Sequence, residues 1–398
     1  MVIVGAGECG VRAALALREE GYDGPVTLIG AERHAPYERP PMSKGLMLAA
    51  NDLAPRTIAT PERLAEAGIA FHASVTVRSI DRERRLVLVR DDRPIGYERL
   101  LLATGAQPRR LSGATGTNIA YLRTYEDALR IRASLHRRER VVIVGGGFIG
   151  LELAAAARGV RAEVTVIEAL PRLLSRGVPE EIAQALDARH RTEGVSILLN
   201  AKIASFGDDR VELADGTAIP ADLIIIGVGA LPETSLAAAA GLTIDNGIAV
   251  DNRLRTSDPD IFAAGDCCSF PLDIYDGRRV RLESWRNAQE HGALAARNML
   301  DANEPISAVP WFWSDQYDLV LQIAGLPDEG RVAVRRTTPT STILFYMRDD
   351  GRLVAAAGLG VGNAVARDIR IAEMLIARRA VPDPAIVANP QGKLKALL

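Results

Sequence analysis

Two glycine-rich segments have the composition and spacing of a phosphate-binding turn. The first, Gly5-Ala6-Gly7-Glu8-Cys9-Gly10, directly follows the apolar run Val2-Ile3-Val4. The second, Gly145-Gly146-Gly147-Phe148-Ile149-Gly150, follows Val141-Val142-Ile143-Val144. Glycines let a strand turn tightly into a helix, so that backbone N–H groups at the helix N-terminus can approach a pyrophosphate. One such segment often has a purely structural origin, whereas two of them predict two dinucleotide sites on one chain.

An acidic residue stands at the end of the next strand in both regions. Residues 26–29 lead to Glu32, and residues 164–167 lead to Glu168. An acid about 20 residues beyond the glycines typically accepts hydrogen bonds from ribose hydroxyls. Because no basic residue adjoins Glu168, the second site is predicted to prefer NADH over NADPH. Arg172 lies near enough in sequence to keep that preference moderate.

Composition restricts the class of protein. The chain has 398 residues, of which 48% are hydrophobic and 25% charged, so two or three domains are expected. A net charge of −2 gives no general attraction to nucleic acid or an anionic membrane. No apolar run reaches the roughly 18–20 residues of a bilayer span, and the first strand begins at Val2, so neither a membrane span nor a signal peptide is expected. Three cysteines make no disulfide framework, so a cytoplasmic location is expected, and the five histidines share no metal-ligand spacing, so no metal site is predicted.

The order of strands and glycine turns predicts one domain inserted into another. The apolar run 261–264 leads into Gly265-Asp266 without a glycine turn of its own, so it is expected to complete the first domain. Alternating runs such as 342–346, followed by an amphipathic stretch at 366–379, predict a C-terminal antiparallel sheet with a helix. The fold class is therefore α/β, with two Rossmann-like dinucleotide-binding domains and a C-terminal α+β domain. The predicted segments are 1–112 and 242–304 for the first domain, 113–241 for the second and 305–398 for the third, with a hairpin at 71–89.

Short motifs along the whole chain carry a family resemblance. They are the two glycine turns, the second of them continuing to Glu152, together with residues 36–44 (Pro-Tyr-Glu-Arg-Pro-Pro-Met-Ser-Lys), 103–105, 121–124, 264–266, 283–285 and 310–316 (Pro-Trp-Phe-Trp-Ser-Asp-Gln). On these residues the chain resembles the FAD-dependent, NADH-using ferredoxin reductases that supply bacterial Rieske oxygenases and cytochromes P450. The resemblance implies a glutathione reductase-like fold, with FAD on the first domain and NADH on the second.

The resemblance also implies individual site residues. Those for FAD are Gly5, Gly7, Cys9, Gly10, Glu32, Arg39, Lys44, Val77, Ala103, Arg123, Asp266 and Trp285. Those for NADH are Gly145, Gly147, Ile149, Gly150, Glu168 and Gly229. Many relatives carry Asp at the position of Ala31, so a secondary ribose contact is not expected here.

Lys44 and Glu152 are the catalytic residues that the resemblance implies, paired beside the flavin N5. Glu152 comes two residues after the second glycine turn, and we expect it in the first turn of the following helix, where the dipole favours a carboxylate. A lysine held charged by this carboxylate would favour a reduced flavin. The alternative is a solvated loop lysine and an acid that interacts with the helix dipole alone.

Several nearby residues have alternative interpretations. Trp285 is predicted to lie against the flavin, with core packing as its alternative. Trp311 and Trp313 are predicted to belong to the sheet core or a domain interface, with a role as electron conduits as the alternative. Cys267 and Cys268 are expected at a helix start, as packing residues. A basic rim for an acidic partner is expected at Arg278, Arg279, Arg281 and Arg286, with ordinary solvated surface arginines as the alternative.

The implied activity is electron transfer from NADH through FAD, one electron at a time, to a small iron–sulfur protein. The partner would be a [2Fe–2S] ferredoxin of Rieske, plant or adrenodoxin type, or a rubredoxin. Residues 39–45 lack the cysteines of the disulfide reductases and their peroxidase and NADH-oxidase relatives, so a thiol relay is disfavoured. Two alternatives stay open: an NADH oxidoreductase for a small acceptor such as a quinone or oxygen, and an NADH-sensing interaction protein like apoptosis-inducing factor. Nucleic acid and membrane are not expected partners, and both monomer and homodimer are compatible with the sequence.

Overall fold

Short runs of Val, Ile and Leu form the central strands of two parallel sheets. A parallel strand that is covered on both faces needs apolar side chains on both faces, so its sequence is a continuous apolar run. The computed structural model describes residues 1–49, 51, 53–90, 93–137 and 140–398. The chain divides into two compact units. The first unit comprises Met1–Glu38, Pro55–Gln107 and Leu231–Ala308, and the second unit comprises Arg39–Ala54, Pro108–Ala230 and Val309–Leu398.

The strands are β1 (Val2–Val4), β2 (Val26–Ile29), β3 (Ile69–His72), β4 (Val77–Asp81), β5 (Leu86–Val89), β6 (Pro94–Gly96), β7 (Leu100–Leu102), β8 (Ala106–Pro108), β9 (Ile119–Ala120), β10 (Arg140–Val144), β11 (Glu163–Ile167), β12 (Ser196–Leu198), β13 (Ile203–Phe206), β14 (Arg210–Leu213), β15 (Ala218–Pro220), β16 (Leu223–Ile226), β17 (Ala230–Pro232), β18 (Ile248–Ala249), β19 (Ile261–Ala263), β20 (Cys268–Leu272), β21 (Arg278–Val280), β22 (Trp311–Gln316), β23 (Leu319–Gly325), β24 (Val332–Thr338), β25 (Ser341–Met347) and β26 (Leu353–Val361). The helices are α1 (Glu8–Glu19), α2 (Gly45–Leu48), α3 (Pro61–Glu66), α4 (Tyr125–His136), α5 (Phe148–Gly159), α6 (Glu180–Thr192), α7 (Ser235–Ala239), α8 (Trp285–Met299), α9 (Ala366–Ala377) and α10 (Pro384–Ala388).

The first unit is built on a parallel sheet in the order β19-β7-β1-β2-β3. Strand β19 therefore lies in the same sheet as β1, although more than half of the chain separates them in sequence. Helices α1 and α8 pack against each other at Gly292, where an added Cβ would lie 2.4 Å from the Cys9 carbonyl oxygen. This close approach places the helix that follows the first glycine turn directly against α8.

Two local expectations for the first unit are wrong. The predicted hairpin begins at Val77 and not at Phe71, because Phe71 belongs to β3 and pairs with Leu28 in the parallel sheet. Cys267 ends a three-residue 3-10 turn and Cys268 begins β20, so the two cysteines do not start a helix. Both thiols are fully buried, in keeping with their predicted packing role.

The second unit contains another parallel sheet, in the order β12-β11-β10-β16-β9. Its core includes Val142, Val144, Ile167, Ile224 and Ile226 from the three central strands. The two parallel sheets share one feature: in each of them the glycine turn follows a central strand, β1 or β10, that has a parallel neighbour on both sides.

The C-terminal part of the second unit is an antiparallel sheet in the order β22-β23-β26-β25-β24, and α9 packs on β23 and β26. Eight consecutive residues of β26, from Leu353 to Gly360, are buried, so this strand is covered on both faces. Its small residues permit close packing: a Cβ added at Gly358 would lie 3.0 Å from the Cβ of Val365. The predicted fold class is thus confirmed, including its C-terminal antiparallel sheet, while the domain boundaries at 112, 241 and 304 stay predictions. No helix among the described residues is long and apolar enough to cross a bilayer.

His291, on α8, is a titratable group inside the core of the first unit. Its ring is 1% exposed and packs edge-on against Phe270, with ring centroids 4.4 Å apart. The Gly265 N–H donates to Nδ1 at 3.4 Å, and Nε2 has no partner among the described side chains and backbone. Burial disfavours the imidazolium and lowers the pKa of His291 to about 3.

Stability is therefore expected to fall in mild acid. Because the folded pKa lies below the unfolded value of about 6.5, the unfolded state binds the extra proton, and stability is lost as the pH falls from about 6.5 towards 3. From pH 7 to pH 5 the free energy of unfolding should fall about 2 kcal/mol more in the wild type than in His291→Met, which cannot titrate. Urea unfolding at both pH values measures this difference, and equal pH dependence in the two proteins would contradict the assignment.

Candidate functional site

The first glycine turn has a conformation that only glycine fits. Gly5 has a φ of +110°, and an added Cβ there would lie 2.1 Å from the Ala103 carbonyl oxygen. A Cβ at Gly10 would lie 1.8 Å from the carbonyl oxygen of Gly5. Gly7 is the N-cap of α1; no side chain caps this helix end, and nothing lies within 4 Å of the position of a Cβ there. The turn therefore leaves an open face at a helix N-terminus, which fits a pyrophosphate.

The other FAD residues predicted in the first unit lie on separate elements. Glu32 follows β2 and accepts a hydrogen bond from the Tyr37 hydroxyl, Val77 begins β4, and the half-buried Asp266 lies in the 3-10 turn after β19. Cys9 is 6% exposed, and burial raises the pKa of its thiol. This thiol is accordingly a packing group in the first turn of α1.

Glu8 is a residue at this site that the sequence did not single out. Its carboxylate accepts hydrogen bonds from Trp285 Nε1 and Gln289 Nε2, both at 2.9 Å, and burial raises its pKa. Trp285, predicted to lie against the flavin, is thus held by its indole N–H at the start of α8. Trp285 therefore lies beside the first glycine turn, and its contact with the flavin stays a prediction.

The predicted residues Arg39, Lys44 and Arg123 belong to the second unit. The Arg39 guanidinium donates to the Arg123 carbonyl oxygen, so the structure brings these two residues together. Arg39 lies just before the 3-10 turn Pro40–Ser43, and Lys44 follows it. The motif at 36–44 therefore crosses from one unit into the other within a few residues.

The second glycine turn has the same geometry as the first. Gly145 has a φ of +107°, and an added Cβ would lie 2.4 Å from the Gly227 carbonyl oxygen. A Cβ at Gly150 would lie 2.2 Å from the Gly145 oxygen, whereas the positions at Gly147 and Gly229 are open. The neighbouring Ile149 side chain is 46% exposed. The turn fits a second dinucleotide by the same steric criterion.

Glu168 is fixed beside this turn by backbone donors. Its Oε2 accepts from the Gly146 N–H at 2.7 Å, and its Oε1 accepts from the Leu170 N–H at 2.8 Å. Each carboxylate oxygen keeps further lone pairs for ribose hydroxyls. The nearby Arg172 uses both terminal guanidinium nitrogens to donate to carbonyl oxygens of its own loop, at 3.1 to 3.2 Å.

Lys44 and Glu152 form an ion pair within the second unit. The Lys44 Nζ lies 3.1 Å from Glu152 Oε1 and 3.7 Å from Asp315 Oδ2, and 4.9 Å from the centroid of the Trp313 ring. Glu152 is 4% exposed, so its carboxylate is almost fully removed from water. The alternative of a solvated lysine with an isolated helix acid does not describe this arrangement.

Two serines complete the surroundings of the carboxylate. Ser43 Oγ donates to Glu152 Oε2 at 2.5 Å, and Ser314 Oγ donates to Oε1 at 2.6 Å. The expected position of Glu152 in the first turn of its helix is wrong. Gly147 is the N-cap, and Leu151 already donates its N–H to the Gly147 carbonyl oxygen, so Glu152 lies in the second turn. Hydroxyl and ammonium donors replace the free backbone N–H groups that we expected there.

The tryptophans and arginines singled out in the sequence have identifiable contacts. The Trp311 and Trp313 rings stack with centroids 5.5 Å apart, and Trp313 Nε1 donates to Asp315. In the first unit, Arg279 donates to the Ser269 and Val250 carbonyl oxygens, Arg281 pairs with Glu283, and Arg286 pairs with Glu290. These three guanidinium groups have partners within the unit, and the basic rim stays a prediction.

Known families and proteins match this chain along nearly its full length. The model of the pyridine nucleotide-disulphide oxidoreductase family matches residues 1–292, and the reductase C-terminal model matches residues 311–398. The chain is 41% identical over 406 residues to the ferredoxin–NAD(+) reductase component of an anthranilate 1,2-dioxygenase system from Burkholderia cepacia, covering 100% of this chain and 98% of that protein. A rubredoxin–NAD(+) reductase from Pseudomonas putida is 39% identical over 365 residues, covering 89% and 94%. The reductase in a covalent putidaredoxin reductase–putidaredoxin complex superposes with a TM-score of 0.94 at 35% identity, covering 100% and 97%.

The Glu168 carboxylate is expected to select between nucleotides. Replacing Glu168 with Gln removes the charge that would repel a 2′-phosphate and weakens the acceptor for ribose hydroxyls. We expect NAD⁺ to bind about 10-fold more weakly, as for one charged hydrogen bond, and the preference over NADP⁺ to shrink. Calorimetric titration with both nucleotides measures this, with Glu163→Gln on the exposed start of β11 as the control. Unchanged affinities for both nucleotides would contradict the role.

Proposed function

The chain belongs to the pyridine nucleotide-disulphide oxidoreductase family, and from that premise we propose that it is the NADH-dependent ferredoxin reductase of a bacterial oxygenase or cytochrome P450 system. The observation that carries the proposal is similarity over the full chain to reductases that serve such systems. Two glycine turns, each with an open helix N-terminus, support FAD in the first unit and NADH in the second.

The overall reaction is NADH + 2 ferredoxin(ox) → NAD⁺ + 2 ferredoxin(red) + H⁺. NADH gives up a hydride, which carries two electrons, and each iron–sulfur partner accepts one. Bound FAD supplies the exchange between a two-electron donor and a one-electron acceptor. The protein's own contribution is to bind both dinucleotides and to set the electrostatic charge beside the flavin ring that would receive the hydride.

The Lys44–Glu152 pair is our candidate for setting that charge. The carboxylate accepts from two serine hydroxyls and lies 3.1 Å from the ammonium, so the ammonium is held in one place and is only partly accessible to water. A preorganised positive charge stabilises negative charge that develops near it during reaction. Asp315 and the Trp313 ring hold the same ammonium from another side.

The absence of an accessible thiol supports direct transfer to an external acceptor. The three cysteines of the chain are 0 to 6% exposed, and burial raises the pKa of each thiol. A thiol relay needs a reactive thiolate at the site, and these residues do not provide one. The buried, unpaired cysteines also support the cytoplasmic location that we propose.

The partner that we propose is a small iron–sulfur protein. Two of the relatives are named rubredoxin–NAD(+) reductases, and one similar structure is a complex with putidaredoxin, so more than one kind of iron–sulfur partner occurs among the relatives. A [2Fe–2S] ferredoxin is our first candidate, because the relative with 41% identity is the ferredoxin reductase of a dioxygenase system.

Stopped-flow mixing tests the function directly. NADH should bleach the bound flavin rapidly and NADPH more slowly, and one member of a panel of oxidised [2Fe–2S] proteins and rubredoxin should reoxidise it rapidly. Slow bleaching that no iron–sulfur protein reverses would contradict the proposal and favour an NADH-sensing protein. Fast turnover with a quinone, but with no panel member, would favour a small-molecule acceptor.

Removing the ammonium tests the Lys44 assignment. In Lys44→Met the Glu152 carboxylate stays buried without its counter-ion, and the positive charge is lost. Flavin reduction by NADH should slow about 10- to 100-fold, the range for one charged hydrogen bond, whereas reoxidation by a fast artificial acceptor should change little. Lys202→Met, at an exposed lysine, is the matched control. A wild-type reduction rate in Lys44→Met would rule out the role.

A further inference from the structure

A line of buried polar side chains leads away from Glu152 through the second unit. Ser314 Oγ lies 2.6 Å from Glu152 Oε1, and Gln316 Nε2 lies 3.2 Å from that hydroxyl. Gln316 Oε1 lies 2.9 Å from His190 Nε2, and the Tyr317 hydroxyl lies 3.0 Å from His190 Nδ1. Ser314, Gln316 and His190 are 0 to 1% exposed. The line joins the end of α6 to β22 and to the turn that follows it.

With the Gln316 amide nitrogen facing Ser314 and the amide oxygen facing His190, the chemistry of these groups sets the direction of each hydrogen bond. An ionised carboxylate only accepts, so Ser314 donates its hydrogen to Glu152. The serine oxygen then accepts from the Gln316 amide nitrogen, and the amide oxygen faces His190. That oxygen only accepts, so His190 carries a proton on Nε2.

The direction of the hydrogen bond at the far end of the line, between His190 and Tyr317, follows from the same donor and acceptor properties. In a neutral imidazole with its proton on Nε2, the other nitrogen is an acceptor, so Tyr317 donates to Nδ1. Burial lowers the pKa of His190 and raises the pKa of Tyr317, which keeps the ring neutral and the phenol protonated. Four successive hydrogen bonds thus point towards the carboxylate.

The position of Tyr317 is determined by several contacts. It lies between β22 and β23 with a φ of +58°, a left-handed conformation that is uncommon for a bulky residue. The Arg189 guanidinium lies 5.2 Å from its ring centroid and pairs with Asp318 at 3.0 Å and Glu193 at 2.8 Å. Such a backbone persists where the surroundings hold it in place.

We propose that His190 and Tyr317 are positioning residues that act through Gln316 and Ser314 to hold a hydrogen-bond donor on Glu152. The proposal rests on the proposed function, in which Glu152 orients Lys44. If the amide of Gln316 were reversed, the Ser314 hydroxyl would donate to the amide oxygen, and Glu152 Oε1 would lose one donor. The Tyr317 hydroxyl opposes this reversal by donating to Nδ1, because that hydrogen bond is made only while His190 is in the Nε2–H form. Hydrogen bonds aligned in one direction also polarise one another, which strengthens the last one.

The tautomer of His190 is the first measurement. Long-range ¹H–¹⁵N spectra of the histidine-labelled holoenzyme distinguish the two neutral forms, and His190→Gln assigns the signal among the five histidines. We expect the Nε2–H form in the wild type and a mixture of both forms in Tyr317→Phe. The Nδ1–H form in the wild type, or an unchanged tautomer in Tyr317→Phe, would overturn the proposal.

A double-mutant cycle on flavin reduction by NADH is the second measurement. Tyr317→Phe should slow reduction about 3- to 10-fold, the effect of one hydrogen bond, with NADH affinity unchanged. The effect should disappear in a Ser314→Ala background, because the line acts only through that hydroxyl. Tyr346→Phe, on β25 of the same sheet, should behave as wild type. Additive losses from Tyr317→Phe and Ser314→Ala would show a merely structural role and overturn the proposal.

The two measurements separate this proposal from the proposed function. Flavin reduction by NADH is followed without any ferredoxin, so failure to reduce iron–sulfur proteins would leave the cycle interpretable. If NADH does not reduce the flavin, the proposed function fails, and the tautomer spectra alone still decide whether the predicted hydrogen-bond direction is correct.

Discussion

The buried carboxylate of Glu152 is the group on which the arrangement of the second unit depends. Removing an ionised carboxylate from water costs several kcal/mol unless charges and hydrogen bonds replace the lost hydration. The carboxylate is on α5, and the replacements come from two other places in the chain: Ser43 and Lys44 before α2, and Ser314 on β22. The Glu152 carboxylate therefore joins the helix that follows β10 to the C-terminal sheet, and a change at Ser43, Lys44 or Ser314 alters its electrostatic surroundings.

Backbone sterics account for the two glycine turns in a simpler way. At Gly5 and at Gly145 the turn passes so close to the end of a neighbouring strand that a Cβ would lie 2.1 and 2.4 Å from a carbonyl oxygen. In both places the following helix begins at a glycine with open space beside it. One steric solution is thus used twice, and the differences between the two turns come from side chains such as Glu8 and Glu168.

Features that depend on neighbouring residues in the sequence could be predicted, whereas features that depend on contacts between distant residues could not. Strands β1, β2, β10 and β11 and both glycine turns were predictable, because apolar runs and glycine spacing are local patterns. The hairpin was placed too early, since only pairing with β2 shows that Phe71 belongs to β3. Lys44 and Glu152 were identified by resemblance, but the partners of Glu152 include Ser314, 162 positions away, and Lys44 also lies near Asp315 on the same distant strand. The contact between His190 and Gln316 could not be predicted either, because the two residues are 126 positions apart and no local pattern links them.

The three buried cysteines have a consequence for how the protein withstands its own chemistry. Reduced flavins that meet oxygen generate hydrogen peroxide, and peroxide attacks the thiolate form of cysteine. Cys9, Cys267 and Cys268 are protonated and out of reach of solvent, because burial raises the pKa of each thiol. The thiolate that peroxide would oxidise is therefore disfavoured at each of the three positions, and burial also limits the access of peroxide to the sulfur.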